Sequence, residues 1–192
     1  MGRSNVGKST LINALTRLRL ARTSAAPGKT RLANIYRVQR GSSPPLYLVD
    51  LPGYGYARGG DGSAREFADL TRAYFGQEGR DVGALLLVDA RHPGLASDLA
   101  AWHWLKETVA DAAVVATKID KLARGERIRA MRELESVLEH SVLPVSAVTG
   151  EGLDELWNLI DSLANNPLRH RRLAATAPPS HPRKKARQLR RI

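Results

Sequence analysis

The chain has 192 residues, 43% of them hydrophobic, which suits one compact domain with a buried core and a short appendage. It has no cysteine, which excludes a disulfide framework, a thiolate metal site and a cysteine nucleophile; no run of eighteen apolar residues occurs, and no apolar segment follows a basic N-terminus. The net charge of +11 is uneven: nine of the 30 Lys and Arg lie in residues 168–192, which carry no Asp or Glu, so residues 1–167 hold 21 basic against all 19 acidic side chains, a net of +2. These features predict a soluble, cytoplasmic chain with a nearly neutral body, a polycationic end and no stable membrane insertion.

Gly2-Arg3-Ser4-Asn5-Val6-Gly7-Lys8-Ser9 fits the pattern G-x-x-x-x-G-K-[ST]. Its glycines let backbone N–H groups wrap phosphates, and the helix that follows, predicted over 8–18, offers its positive N-terminus. In this pattern Lys8 reaches the β- and γ-phosphates and Ser9 ligates magnesium. The alternative is a glycine-rich turn, and it loses ground because further motifs follow in order.

After the first helix comes Ser24-Ala25-Ala26-Pro27-Gly28-Lys29-Thr30, a small-residue segment suited to a mobile switch in which Thr30 closes on magnesium. Thr23 and Ser24 are rivals for that role. Strands are predicted over 33–38 and 46–50, and Asp50-Leu51-Pro52-Gly53 lies where the second one ends. An Asp there holds magnesium through its water shell while the Gly53 N–H meets the γ-phosphate. The pattern D-x-x-G alone is common in structural turns; its place between the phosphate loop and a base motif argues for function.

A helical pattern covers 63–75, and strand 84–89 is a continuous apolar run, as expected of a strand covered on both faces. Helix 96–109 and strand 112–117 lead to Thr117-Lys118-Ile119-Asp120, which fits [NT]-K-x-D. The Asp120 carboxylate is acceptor-only, so it takes the ring N–H and exocyclic amine of guanine together, and adenine offers neither donor in that arrangement. The Lys118 stem packs over the base. A surface Lys/Asp turn is the plain alternative. Helix 126–138 and strand 142–145 follow, and Val145-Ser146-Ala147 is a candidate for presenting N–H groups to the guanine carbonyl. In helix 152–163, Leu153, Leu156, Trp157, Ile160 and Leu163 form one apolar face, read as core. The alternation of strands and helices predicts an α/β domain over 1–166, a mainly parallel sheet with helices on both faces. Periodicity stops at Pro167, so 167–192 reads as a basic, disordered tail.

Taken together, Gly2 to Ser9, Pro27-Gly28-Lys29-Thr30, Asp50-Leu51-Pro52-Gly53-Tyr54-Gly55-Tyr56-Ala57, Asp89-Ala90-Arg91-His92 and Thr117-Lys118-Ile119-Asp120-Lys121-Leu122 resemble the blocks of the EngB (YihA/YsxC-type) family of bacterial P-loop GTPases, within the translation-factor-like class. The resemblance spans residues 2 to about 163, and Tyr-Gly-Tyr after Asp-Leu-Pro-Gly is its most discriminating element. It selects Thr30 as the switch ligand. It implies a magnesium-dependent GTPase that helps mature the large ribosomal subunit, with family links to cell division and septation. The basic tail is compatible with ribosomal RNA, since Lys and Arg neutralise phosphates with little sequence preference; the alternative is a solvated terminus.

GTP hydrolysis usually relies on a glutamine that orients water and an arginine finger. The residue after Gly53 is Tyr54, so slow intrinsic turnover accelerated by a partner is expected. Related potassium-dependent GTPases use an asparagine at the position of Asn5 to hold a monovalent cation near the phosphates, and potassium is the candidate substitute for the finger. The alternative for Asn5 is a loop residue satisfying its own backbone. Arg58 and Arg91 are candidates in a rearranged state, against ordinary surface roles. A nucleotide-binding module without useful turnover and an ATP-using P-loop kinase are the competing classes, the latter disfavoured by Asp120. Finally, a P-loop normally joins a buried strand to a helix, yet only Met1 precedes Gly2. The expectation is that this strand is missing from these 192 residues, through an internal start or a misplaced initiating methionine, and that the chain as it stands folds poorly; an inactive, N-terminally truncated GTPase is the alternative to an active one.

Overall fold

The computed structural model describes residues 1–21, 33–54 and 82–165. The predicted switch around Thr30, the helix over 63–75, Arg58 and the tail from Pro167 lie outside the described residues.

Among the described residues the elements run α1 (Lys8–Thr16), β1 (Asn34–Val38), β2 (Leu46–Asp50), β3 (Gly83–Asp89), α2 (Ala96–Thr108), β4 (Asp111–Thr117), a short 3-10 turn (Ile119–Lys121), α3 (Arg124–Leu138), β5 (Val142–Pro144) and α4 (Leu153–Ala164). β1 and β2 form an antiparallel pair with Tyr36 opposite Leu48, and β3-β4-β5 form a parallel sheet with Leu86 opposite Val114 and Val115 opposite Leu143.

The continuous apolar runs of β3 and β4 arise because helices cover both faces, so side chains pointing either way are buried. Leu86 and Val88 pack with Trp102 and Leu105 of α2 and Leu134 and Leu138 of α3. Leu87 and Val115 turn to the other side, against Leu11 and Leu15 of α1 and Leu156, Trp157 and Ile160 of α4. Each fully buried side chain of this kind contributes about 1.5–3 kcal/mol. Trp102 keeps its indole satisfied by donating to the Leu138 carbonyl oxygen at 3.0 Å.

Helix ends depart from the sequence reading where a local device intervenes. α1 stops at Thr16 because Arg17 turns left-handed, with φ 54°. α3 starts two residues before 126, because the Glu126 carboxylate reaches back to accept the Ala123 N–H at 3.0 Å. α4 begins after Gly152, whose φ of 76° and approach to the Pro144 carbonyl leave no room for a side chain.

At the phosphate loop, three residues take a strand's place. The Met1 nitrogen donates to the Leu85 oxygen at 2.6 Å, Leu87 N–H donates to the Met1 oxygen at 2.8 Å, and parallel bridges join Gly2 to Leu87 and Arg3 to Tyr54. Met1 to Arg3 thus lies between the β2 side of the sheet and β3. Beyond Met1 a cleft of about 630 Å³ separates β2 from β3, walled by Leu46, Leu48 and Leu85 and floored by Leu11, Leu156 and Ile160. Among the described residues, the contacts of Met1 to Arg3 are what joins β2 to β3 at this end of the cleft.

Candidate nucleotide site

The loop from Gly2 to Ser9 is built by alternating backbone hands. Asn5 and Gly7 are left-handed, with φ 63° and 103°, and Gly7 leads directly into α1. Such alternation makes a nest of N–H groups suited to an anion, and the first turn of α1 adds its own N–H groups. Lys8 folds back across the loop and donates to the Gly2 oxygen at 3.3 Å. Burial lowers its pKa, while the Asp50 carboxylate opposes that shift.

Asp50 to Gly53 docks on this loop. Ser4 N–H donates to the Tyr54 oxygen at 3.0 Å, and a Cβ added at Gly53 would sit 2.8 Å from Ser4 N, so only glycine allows the approach. Leu51 anchors the turn at 2% exposure. Beyond it, the Tyr54 hydroxyl donates to Asp98 Oδ1 of α2 at 2.9 Å, both residues being buried. Burial, reinforced by Asp98, pushes the Tyr54 pKa upward. The tie is not legible in the sequence, although a Tyr following D-L-P-G and a single acidic residue in the first turn of α2 are both visible there.

Asp50 is itself 3% exposed, and burial raises its pKa against the opposing pull of Lys8 and the terminal amine. Its Oδ1 is buried and accepts no hydrogen bond among the described residues. A buried carboxylate oxygen with no donor suits a cation or that cation's water shell, so Asp50 fits a magnesium site with Ser9 at the head of α1. Thr30, the third predicted ligand, and its neighbours Gly28 and Lys29 lie outside the described residues.

The end of β4 joins the base motif to the phosphate loop. Thr117 donates its hydroxyl to the Val6 oxygen at 2.7 Å, and Lys118 Nζ donates to the Asn5 oxygen and to Asp89 Oδ2, the latter at 3.0 Å. Lys118 adopts φ 62°, a strained backbone for a lysine, immediately before the turn that carries Ile119 and Asp120. Ile119 is buried as the turn's anchor. Asp120 stands at the rim; its Oδ1 accepts the Ser146 hydroxyl at 2.7 Å, which holds its carboxyl below the usual carboxylate range.

Ser146 is fully buried and sets the neighbouring loop, its Oγ accepting the Val148 and Thr149 N–H groups at 3.2 and 3.1 Å. Of the three predicted residues, Val145 N–H is taken by the Ala116 oxygen and Ser146 N–H by the Glu151 oxygen. Ala147 follows them on the same loop. The short motif Val-Ser-Ala carried little signal in sequence; its serine proves to be the direct partner of Asp120.

Asp89, Arg91 and Lys118 form a charge cluster that the sequence reading also did not find. Arg91 grips Asp89 through Nε at 2.9 Å and Nη2 at 2.8 Å, and its own N–H adds a third bond at 3.1 Å. Burial works against the Asp89 charge, but these bonds and Lys118 outweigh it and hold the carboxyl well below the usual range. The structure thus brings together Gly2 to Ser9, Asp50 to Gly53, Thr117 to Asp120 and Val145 to Ala147.

Comparison with known proteins agrees with this arrangement. Residues 1–143 match a family model described as a 50S ribosome-binding GTPase. A probable GTP-binding protein EngB of Chlorobaculum tepidum is 42% identical over 165 residues, 84% of each chain, and that of Thermotoga maritima is 41% identical over 167 residues, 85% of this chain and 84% of its own. Among solved structures, a probable GTP-binding protein engB superposes with a TM-score of 0.65 over 85% of this chain and 95% of its own, and Era of Aquifex aeolicus bound to GDP and aluminium fluoride with 0.70 over 83% and 53%; both are 24% identical and speak to the fold. With a GTPase family model matched across most of its length and relatives near these identities covering it almost as far, the chain belongs to the EngB family of GTP-binding proteins.

Proposed function

We propose that this protein is a magnesium-dependent GTPase that switches between GTP and GDP forms while assisting assembly of the large ribosomal subunit, in the cytoplasm. The observation that carries the guanine reading is the end of β4, where one short segment ties itself to the phosphate loop through Thr117 and Lys118 and then presents Asp120. Phosphate and base recognition are thereby joined in one segment, and the acceptor-only carboxylate rejects bases that lack paired donors.

The division of labour follows from chemistry. Backbone N–H groups of the nest and Lys8 hold the phosphates; Gly53, seated on Ser4, is placed to offer its N–H as charge develops on the γ-phosphate. Magnesium, which neutralises charge on the β- and γ-oxygens, would be held by Ser9, Asp50 and Thr30. Tyr54 supplies no amide to orient water, which supports slow intrinsic hydrolysis and acceleration by a partner or by potassium beside Asn5. Turnover measured in potassium and sodium salts tests this: potassium is expected to accelerate it in wild type and much less in Asn5→Ala. Equal rates in both salts would show that no monovalent cation takes part in hydrolysis.

The ribosomal reading rests on the description of the matched family model, together with the polycationic residues 168–192. A solved structure of Era, similar in fold, holds nucleotides 1506–1542 of 16S ribosomal RNA. Co-sedimentation with isolated large subunits is expected with a non-hydrolysable GTP analogue and to be reduced with GDP. Binding of equal strength in both states would leave a nucleotide-binding module and no switch.

A further inference from the structure

Asp89 is the last residue of β3 and lies in register with Thr117 of β4, so it ends beside the base motif. Its side chain is 3% exposed and takes on two cations at once. Arg91 fixes the plane of the carboxylate by bonding both oxygens, and Oδ2 then also receives Lys118 Nζ at 3.0 Å. The ammonium of Lys118 is thus held between Asp89 and the Asn5 carbonyl, while its backbone is held left-handed. Between these fixed ends the stem runs past Gly7, where an added Cβ would lie 3.7 Å from Lys118 Cε. Arg91 places three of its donors on Asp89, an arrangement that orients a carboxylate and leaves its guanidinium aimed at that residue.

We infer that Asp89, clamped by Arg91, is a positioning residue for guanine-nucleotide affinity, acting through Lys118. A free lysine has many rotamers and loses them when its stem becomes a wall of a binding site; anchoring the ammonium beforehand removes that ordering cost. A neutral amide at position 89 keeps the shape but loses the charge that draws in Lys118. Asp89 touches Lys118 and Arg91, so its influence on the nucleotide passes through the lysine. The inference rests on the guanine-nucleotide reading above.

The test is a double-mutant cycle on GDP affinity by calorimetry, with wild type, Asp89→Asn, Lys118→Met, the double variant and Arg91→Met, each shown to be folded by a thermal melt. Asp89→Asn is expected to weaken GDP about tenfold. The double variant is expected to bind no more weakly than Lys118→Met alone, and Arg91→Met to fall between wild type and Asp89→Asn. Independent, multiplicative losses, or unchanged affinity in Asp89→Asn, would overturn the positioning role. Should Asp89→Asn fail to fold, Arg91→Met combined with Lys118→Met carries the same cycle, and multiplicative losses there overturn it equally. Wild-type protein that binds no GDP would sink the guanine reading and this inference together, an outcome visible in the first arm alone.

Discussion

In the proposed guanine site, Asp120 offers two acceptor oxygens. Ser146 donates to one of them, orienting the carboxylate without neutralising it. Replacing Asp120 by Asn substitutes a donor for an acceptor, so guanine should be rejected and xanthine, which presents an acceptor at the same edge, preferred; competition between GDP and xanthosine diphosphate measures it. Loss of at least about 100-fold in GDP affinity is expected, as for sites built around a buried hydrogen-bond pair. Asp50 illustrates the opposite tension. Its buried Oδ1 accepts no hydrogen bond among the described residues and burial disfavours the charged form, so Asp50→Asn should stabilise the nucleotide-free protein by about 1 kcal/mol, or roughly 2–4 °C in Tm, while abolishing the tightening of GTP by magnesium. A melt and a magnesium titration check the two halves. Asp89 shows the third pattern: its carboxyl is depressed in the fold, so its contribution to stability is complete above the ordinary value and lost as pH falls below it. The Tm gap between wild type and Asp89→Asn should stay level from about pH 5 to 8 and narrow below about pH 4.

At the scale of elements, the loops that carry chemistry are held by packing in the strands and helices that end there. Gly152 is the sharpest case, since an added Cβ would meet the Pro144 oxygen at 2.3 Å in a backbone already at φ 76°. Gly152→Ala should lower stability by about 2–4 kcal/mol and shift the Ser146 loop, weakening GDP as well as lowering Tm. Most elements were legible in the sequence for physical reasons. β3 and β4 announce themselves because burial on both faces demands unbroken apolar runs, and α4 because Leu156, Trp157 and Ile160 recur on one face. α3 starts two residues before the apolar periodicity suggests, because Glu126 caps the helix from inside it. In the candidate site, Gly2 to Ser9 and Thr117 to Asp120 stand out in the sequence because the chemistry proposed for them fixes their spacing. The Tyr54–Asp98 and Asp89–Lys118 contacts were not, because they join residues 44 and 29 positions apart that only the fold brings together.

Across the whole molecule, Met1 to Arg3 bridge Leu87 and Tyr54 between the β1-β2 pair and the three-stranded sheet, Val38 and Leu46 pack against the core that holds Leu87 and Val115, and Arg40 pairs with Asp161 of α4 at 2.9 Å, both half exposed. The cleft between β2 and β3 is lined by side chains that would pack on an extended apolar segment. Such a segment fused ahead of Met1 should raise Tm by at least about 2–4 °C, since two inward apolar side chains contribute about 3–6 kcal/mol before ordering costs. A Gly/Ser segment of equal length is expected to change nothing, and equal melts for the two fusions would show that the cleft accepts no strand.

In the proposed function, the end of β4 ties the phosphate loop to the residue that reads guanine. Calorimetric titration with GDP, GTP and ATP tests that most directly. Tight, one-to-one binding of both guanine nucleotides is predicted, with ATP weaker by a factor of about 10⁴ or more; ATP binding comparable to GTP would contradict it.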